Sequence, residues 1–123
     1  MKKAGAAFIP ESNPLLLQLT RVKSFIDEDV SRKLDVNRLA KEAMISKFHF
    51  FRSFKKTFGF SPYQYLLKKR LERSFQLLSE GNCNVTEAAY QVGFNDIYSF
   101  SKSFKKHFNK CPSQVTVVCE MEF

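Results

Sequence analysis

The sequence contains no run of about 18 uncharged apolar residues, the length that a membrane-spanning helix needs. Its basic N-terminus has no apolar segment behind it, so no secretory signal is predicted. The cysteines are odd in number and lack Cys-x-x-Cys spacing, which argues against a disulfide framework or a zinc site. We expect reduced thiols in a cytosolic protein at Cys83, Cys111 and Cys119.

Glycine and the usual catalytic groups are scarce as well. With four glycines, the sequence has no glycine-rich loop for a phosphate, and its acidic residues are scattered. His49 and His107 have no second metal ligand one helical turn further on. No Ser, His and Asp residues form a recognisable catalytic set. We therefore expect no enzymatic activity, no cofactor and no bound metal.

Acidic residues are few relative to basic ones. The 123 residues include 12 Asp and Glu against 20 Lys and Arg, which gives a formal net charge of +8. A charge of this size favours a polyanionic partner, either nucleic acid or an anionic membrane surface. Hydrophobic residues make up 44% of the chain, so it can form one domain or two small subdomains with their own cores.

Apolar residues recur at helical spacing along the chain, and this predicts an all-α fold of about seven helices. The first helix is predicted to begin at Pro14, with an inner face that consists of Leu15, Leu19, Val22, Phe25 and Ile26. Later helices are predicted to follow the N-cap residues Asp35, Ser46, Asn84 and Asp96. Gly59 is placed to end one helix.

An internal repeat is the strongest pattern in the sequence. Eight of the 19 pairs between positions 46–64 and 96–114 are identical. A short helix with alanines and a tight turn precede each copy, which is the helix-turn-helix arrangement. We predict a flexible segment that resembles a cloning remnant (1–13), a first helix-turn-helix subdomain (14–60), a linker helix (61–80), a second helix-turn-helix subdomain (81–115) and a tail (116–123).

The second helix of each repeat has two different sides. Three phenylalanines in each copy recur every four residues and are expected in the core: Phe50, Phe54 and Phe58, and Phe100, Phe104 and Phe108. The outer sides combine cations with apolar groups, as expected for contacts with base edges and thymine methyl groups in a major groove. The base-facing residues are predicted to be Lys47, Phe48, Phe51, Arg52, Ile97, Tyr98, Ser101 and Lys102. Phosphate contacts are predicted at Ser46, Lys55, Lys56, Lys105 and Lys106.

Positive charge is concentrated around these helices. Residues 46–73 and 97–110 contain 12 of the 20 basic residues and one of the 12 acidic residues. Three neighbouring cations, Lys68, Lys69 and Arg70, have two interpretations: they contact phosphate, or they form a solvated helix face in which Arg70 makes a structural ion pair. The alternatives to DNA binding are a basic helical module on an anionic membrane surface or on an acidic protein partner.

The predicted linker helix has a length suited to duplex DNA. About 18 residues at about 1.5 Å per residue give about 27 Å. Successive major-groove segments on one side of a duplex are about 34 Å apart. One chain could thus read two adjacent groove segments as a monomer.

The ordered motifs resemble the DNA-binding domain of AraC/XylS-type transcription regulators over about residues 15 to 115. The first half matches at Leu39-Ala40, Ser46, Phe54-Lys55-Lys56, Gly59-x-Ser61-Pro62 and Arg70-Leu71. The second half matches at Glu87-Ala88-Ala89, Val92-Gly93-Phe94-x-Asp96, Phe104-Lys105-Lys106 and Pro112.

This resemblance implies a sequence-specific, double-stranded DNA-binding regulator, usually an activator that contacts RNA polymerase, in the bacterial cytoplasm at the nucleoid. It also implies that the residues named above as base-facing form the two recognition surfaces. Ile97 and Tyr98 stand where the family often has smaller or polar residues, so the second unit is expected to contribute mainly backbone contacts. Cys111 replaces a common serine, and the sequence after Gln114 departs from the usual ending. The family's common effector-binding or dimerisation domain is not recognisable, so we expect a short member or part of a longer regulator.

Overall fold

A computed structural model describes residues 13–115, and all regular structure among them is helical. The helices are α1 (Pro14–Glu28), α2 (Val36–Glu42), α3 (Lys47–Phe58), α4 (Pro62–Glu80), α5 (Val85–Gln91) and α6 (Ile97–Phe108). A seventh helical segment, α7, covers residues 112–115. The predicted all-α fold of about seven helices is confirmed. The first 12 residues of the predicted flexible segment, the predicted tail and Cys119 lie outside the described residues.

The described residues divide into two compact units. The first contains residues 13–29 and 34–65, and the second contains residues 30–33 and 66–115. Helix α4 contributes its first turn to the first unit and its remaining residues to the second. The short segment 30–33, which lies between α1 and α2 in the chain, belongs to the second unit.

Helix α1 buries a narrower stripe than the sequence predicts. Leu19, Val22 and Ile26 are buried, and Leu15 is half-buried. Phe25 is 37% exposed, so its predicted place on the inner face is wrong. Successive residues are about 100° apart around a helix, and Phe25 therefore lies beside the stripe that Val22 and Ile26 define.

The predicted helix caps are confirmed. Side-chain oxygens accept hydrogen bonds from the first turns of four helices at Asp35, Ser46, Asn84 and Asp96. Gly59 ends α3 in the left-handed conformation, with φ +87°. These caps satisfy backbone groups that helix ends leave without partners, so they fix where each helix-turn-helix element begins and ends.

Phenylalanine side chains form the centre of both units. Phe50 and Phe54 in the first unit, and Phe100 and Phe104 in the second, have no exposed surface. The second core also contains apolar residues of α4, α5 and α7, namely Leu71, Leu78, Ala88, Ala89 and Val115. The last residues of the predicted stripes, Phe58 and Phe108, are half-buried. Phe58 packs edge-on against Phe54 and Phe108 packs at a tilt against Phe104, with ring centroids 4.7 and 4.6 Å apart.

The internal repeat is preserved in three dimensions. Buried, half-buried and exposed positions follow the same order in residues 46–65 and 96–115. The recognition helices also end alike, because the N–H groups of Gly59 and Asn109 each donate to the carbonyl four residues earlier at 2.7 Å. Asn109 adopts the left-handed conformation with φ +63°, so asparagine replaces glycine without changing the cap.

Candidate nucleic-acid interface

Each unit exposes an aromatic residue and a cation one helical turn apart on its second helix. On α3, Phe48 is 73% exposed and Arg52 is also exposed. On α6, Tyr98 is 75% exposed and Lys102 is exposed. Phe48 and Tyr98 are the two most exposed aromatic side chains among residues 13–115. Because residues four apart are neighbours on a helix, each aromatic ring and its cation lie on the same side.

Lysines extend these surfaces toward the C-terminal end of each helix. Lys55, Lys56, Lys105 and Lys106 are exposed in the last turns of α3 and α6, where the helix dipole favours positive charge. We call the exposed residues Lys47, Phe48, Arg52, Lys55 and Lys56 the α3 face. We call Ile97, Tyr98, Lys102, Lys105 and Lys106 the α6 face.

The first residue of each helix has a different position from the rest of its face. Lys47 is exposed, and Ile97 is 38% exposed. Both residues precede the buried phenylalanines by three and seven positions, so they lie in line with the core side of the helix. They remain accessible because they are in the first turn, beyond the edge of the core.

Two predicted base-facing residues lie at the margins of the faces. Phe51 is half-buried, and its ring centroid lies 5.7 Å from that of Tyr63. Ser101 occupies the equivalent position in the second unit and is also half-buried. Phe51 therefore supports the α3 face from one side, and only part of its ring is available to a ligand.

The basic residues of α4 have partners within the protein. Lys68 Nζ lies 2.6 Å from Glu72 Oε2, and Lys69 Nζ lies 3.7 Å from Glu72 Oε1. The hydrogen bond from Lys68 lowers the pKa of Glu72. Arg70 donates to the backbone carbonyls of Val30 and Arg32, so its structural contacts are hydrogen bonds rather than the ion pair of the second interpretation.

The N-termini of the two recognition helices differ in charge. Ser46 Oγ accepts from the His49 N–H at 3.0 Å, whereas Asp96 Oδ1 accepts from the Ser99 N–H at 2.7 Å. The hydrogen bond from Ser99 lowers the pKa of Asp96, so this cap is negatively charged at neutral pH. Since a helix N-terminus attracts anions, α3 presents a neutral cap to a phosphate and α6 presents a carboxylate.

An open depression adjoins the α6 face and includes one residue that the sequence did not single out as a site residue. Its lining consists of Tyr98, Ser101, Lys102, Lys105, Lys106 and Cys111. Cys111 is a half-buried free thiol that replaces Ser61 of the first repeat. The internal repeat could have placed Cys111 beside the α6 face, because its equivalent, Ser61, ends the loop that follows α3.

The described residues show neither a metal site nor a membrane-spanning helix. Residues 13–115 contain no group of three or more His, Cys, Asp or Glu side chains arranged to hold a metal ion. Within the same range, no helix combines the length and the hydropathy that crossing a bilayer requires.

Together, two capped helix-turn-helix elements with basic, aromatic faces define a double helix-turn-helix DNA-binding domain. A family model described as "Helix-turn-helix domain" matches residues 39–116. The solved structure of a probable AraC family transcriptional regulator from Rhodopseudomonas palustris is similar, with a TM-score of 0.71 and 27% identity over 80% of this chain and 94% of that chain. The chain belongs to the AraC/XylS family of DNA-binding domains.

Two further matches relate this family to regulation and to DNA. The Msm operon regulatory protein of Streptococcus mutans is 34% identical over 96 residues, which are 78% of this chain and 34% of that protein. The DNA-binding domain of AdpA, solved in complex with a target DNA, has a TM-score of 0.76 and 25% identity over 85% of this chain and 95% of that chain. The chain thus spans about a third of the length of the Msm regulator.

Proposed function

We propose that this domain recognises a bipartite site in double-stranded DNA by placing α3 and α6 in adjacent major-groove segments, and that it thereby regulates transcription. The observation that carries the proposal is the aromatic–cation pair that recurs on both exposed faces, at Phe48 and Arg52 and at Tyr98 and Lys102. An exposed aromatic ring among cations is unusual on a solvated helix, and it matches the thymine methyl groups and guanine acceptors of a major groove.

Base recognition and phosphate contact have different residues. Arg52 can donate two hydrogen bonds to O6 and N7 of a guanine, and Phe48 can contact a thymine methyl group within about two base pairs of it. Phosphates are contacted by Ser46 and by the lysines in the last turns of α3 and α6: Lys55, Lys56, Lys105 and Lys106. Because these lysines lie in the last turns, they position each helix without reading sequence.

The regulatory role extends this binding. A single copy carries two recognition helices, so we infer that one molecule occupies the bipartite site without a second copy. We propose that the DNA-bound domain contacts RNA polymerase and thereby activates transcription. The site of action is the nucleoid in the cytoplasm. In a longer regulator, a sensor or dimerisation domain would add control by an effector.

Two single substitutions test the division between base and phosphate contacts. Arg52→Ala is expected to lose about 1–3 kcal/mol of binding free energy on the preferred duplex and to relax the sequence preference at one subsite. Lys105→Ala is expected to weaken binding to preferred and random duplexes by the same factor. It is also expected to reduce the magnitude of the slope of log K against log salt by about one. Gel-shift titrations of both variants on both duplexes give these values. If Arg52→Ala weakens preferred and random DNA by the same factor, Arg52 does not read a base.

A further inference from the structure

The turn that leads into α6 lies directly against an arginine side chain. Gly93 occupies this turn, between α5 and α6, with φ +102°. A Cβ atom at Gly93 would lie 2.9 Å from both Cζ and Nη2 of Arg70. These distances are below normal van der Waals separation, so only a glycine allows the backbone to approach the guanidinium group this closely.

The guanidinium group also donates hydrogen bonds to the backbone of another segment. Arg70 Nε donates to the Val30 carbonyl at 2.7 Å, and Nη2 donates to the Arg32 carbonyl at 3.2 Å. Both carbonyls belong to the segment 30–33 of the second unit. Burial lowers the pKa of Arg70, and the two carbonyls compensate part of the lost hydration. Two hydrogen bonds to the backbone thus hold the side chain beside the turn, and a movement of the side chain away from Gly93 would break them.

The turn at Gly93 is connected to α5 by backbone hydrogen bonds and to the first turn of α6 by a ring contact. The N–H of Gly93 donates to the Tyr90 carbonyl at 3.1 Å, and the N–H of Phe94 donates to the Ala89 carbonyl at 3.0 Å. The Phe94 ring then packs edge-on against Phe100 of α6, with ring centroids 5.2 Å apart. A displacement at Gly93 is thus transmitted to the first turn of α6, which carries Tyr98.

The first unit has no equivalent of this contact. Met44 takes the place of Gly93 in the turn between α2 and α3, and its side chain is 90% exposed. A side chain at that position meets solvent, so the first turn has room for the Cβ atom that the turn at Gly93 excludes. The close approach that requires glycine is therefore a feature of the turn before α6.

We propose that Arg70 is a positioning residue for DNA recognition by the α6 face, and that it acts through its contact with Gly93. The inference rests on the proposed function, because it assigns Arg70 a role in binding at one of the two subsites. Arg70 itself contacts protein backbone and is not expected to contact DNA.

Footprinting on a duplex with both subsites tests this role. Arg70→Met and Gly93→Ala, measured well below their melting temperatures, are expected to lose protection of the α6 subsite and to keep protection of the α3 subsite. The overall affinity is expected to fall about 5- to 150-fold, and the salt slope by about two as Lys105 and Lys106 lose their phosphates. Arg73→Met is the matched control, because Arg73 is an exposed cation of the same helix, and it is expected to retain both footprints.

A double-mutant cycle separates positioning from general destabilisation. With Arg70→Ala in place, the added Gly93→Ala substitution is expected to reduce α6-subsite affinity by a smaller factor than it does in the wild type, because the clashing group is gone. Arg70→Lys keeps the charge and replaces Arg70→Met in the test if that variant does not fold. It is expected to weaken binding at the α6 subsite and not at the α3 subsite. Equal loss at both subsites, additive effects in the cycle, or an unchanged footprint would overturn the inference. A wild-type protein without any specific footprint would instead refute the proposed function.

Discussion

Met44 and Gly93 occupy the same position in the two turns, and both adopt a left-handed backbone, with φ +60° and +102°. Their N–H groups donate to the carbonyls of Lys41 and Tyr90, and the N–H groups of the following residues donate to Ala40 and Ala89. The hydrogen-bond pattern is that of a Schellman turn in both cases. The two turns share one backbone geometry although one contains methionine and the other glycine.

Met44→Gly is expected to stabilise the first unit by about 0.5–1 kcal/mol. A non-glycine residue in the left-handed region costs about 1–2 kcal/mol, and part of this gain is lost to the greater entropy of glycine in the unfolded chain. The exposed methionine side chain contributes little burial that could be lost. Urea denaturation measures the change, with Lys41→Gly in α2 as a control that should be less stable by about 1 kcal/mol. A destabilised Met44→Gly variant would show that the methionine side chain makes a compensating contact.

Core and surface phenylalanines are expected to respond differently to truncation. Phe54→Ala and Phe104→Ala remove fully buried rings and should each cost about 3–5 kcal/mol of unfolding free energy. Phe48→Ala removes an exposed ring and should change stability by less than about 0.5 kcal/mol. Thermal unfolding of the three variants tests this order. If Phe48→Ala destabilised the fold as strongly as Phe54→Ala, the α3 face would not be free to bind a ligand.

Phe48 is expected to detect a single methyl group on DNA. Replacement of the contacted thymine by uracil removes only that methyl, and it should weaken wild-type binding by about 0.8 kcal/mol. Phe48→Ala should bind both duplexes equally, because the partner of the methyl group is missing. Competition gel shifts with the two duplexes provide the comparison. A wild-type protein that does not distinguish thymine from uracil at any position would exclude this contact.

The charge of Asp96 is expected to affect both the pH dependence of stability and the affinity for DNA. Its folded-state pKa is lowered, so the cap contributes stability above the unfolded-state pKa of about 3.9 and loses it as pH falls through the lower folded-state value. Asp96→Asn keeps a capping side chain without a charge, so stability should fall less steeply below about pH 4. The same variant should bind DNA more tightly at low salt, because one negative charge near the duplex is removed. Acid titration of unfolding and gel shifts at neutral pH test both effects. Weaker DNA binding by Asp96→Asn would show that the Asp96 carboxylate does not repel the duplex.

The local features of this protein could be predicted from its sequence because they depend on near neighbours. The caps at Ser46 and Asp96 and the buried rings of Phe50 and Phe100 follow from spacing within one or two helical turns. The role of Arg70 could not be predicted, since its partner Val30 is 40 residues away and its second contact is a backbone turn. Such contacts depend on which segments meet after folding, which periodicity does not reveal.

The burial of residues at the edge between core and surface also could not be predicted from the sequence. Helical spacing places Phe25 near the core and Phe51 on the outer side, yet Phe25 is exposed and Phe51 is half-buried against Tyr63. The width of a buried stripe depends on the neighbouring elements, so residues at its edge can lie on either side. The base-facing roles of the α3 and α6 residues remain predictions that DNA-binding measurements decide.

The most direct measurement is the affinity of the wild-type domain, over a range of salt concentrations, for a duplex selected from random sequence and for an unrelated duplex. We expect selection to enrich two separated subsites. We also expect log K to fall with log salt with a slope of about −4, as the four lysines of the last turns neutralise phosphates. Binding to the unrelated duplex is expected to be much weaker at every salt concentration. Equal affinity for the two duplexes, or stronger binding to anionic vesicles than to either duplex, would contradict sequence-specific recognition by the two faces.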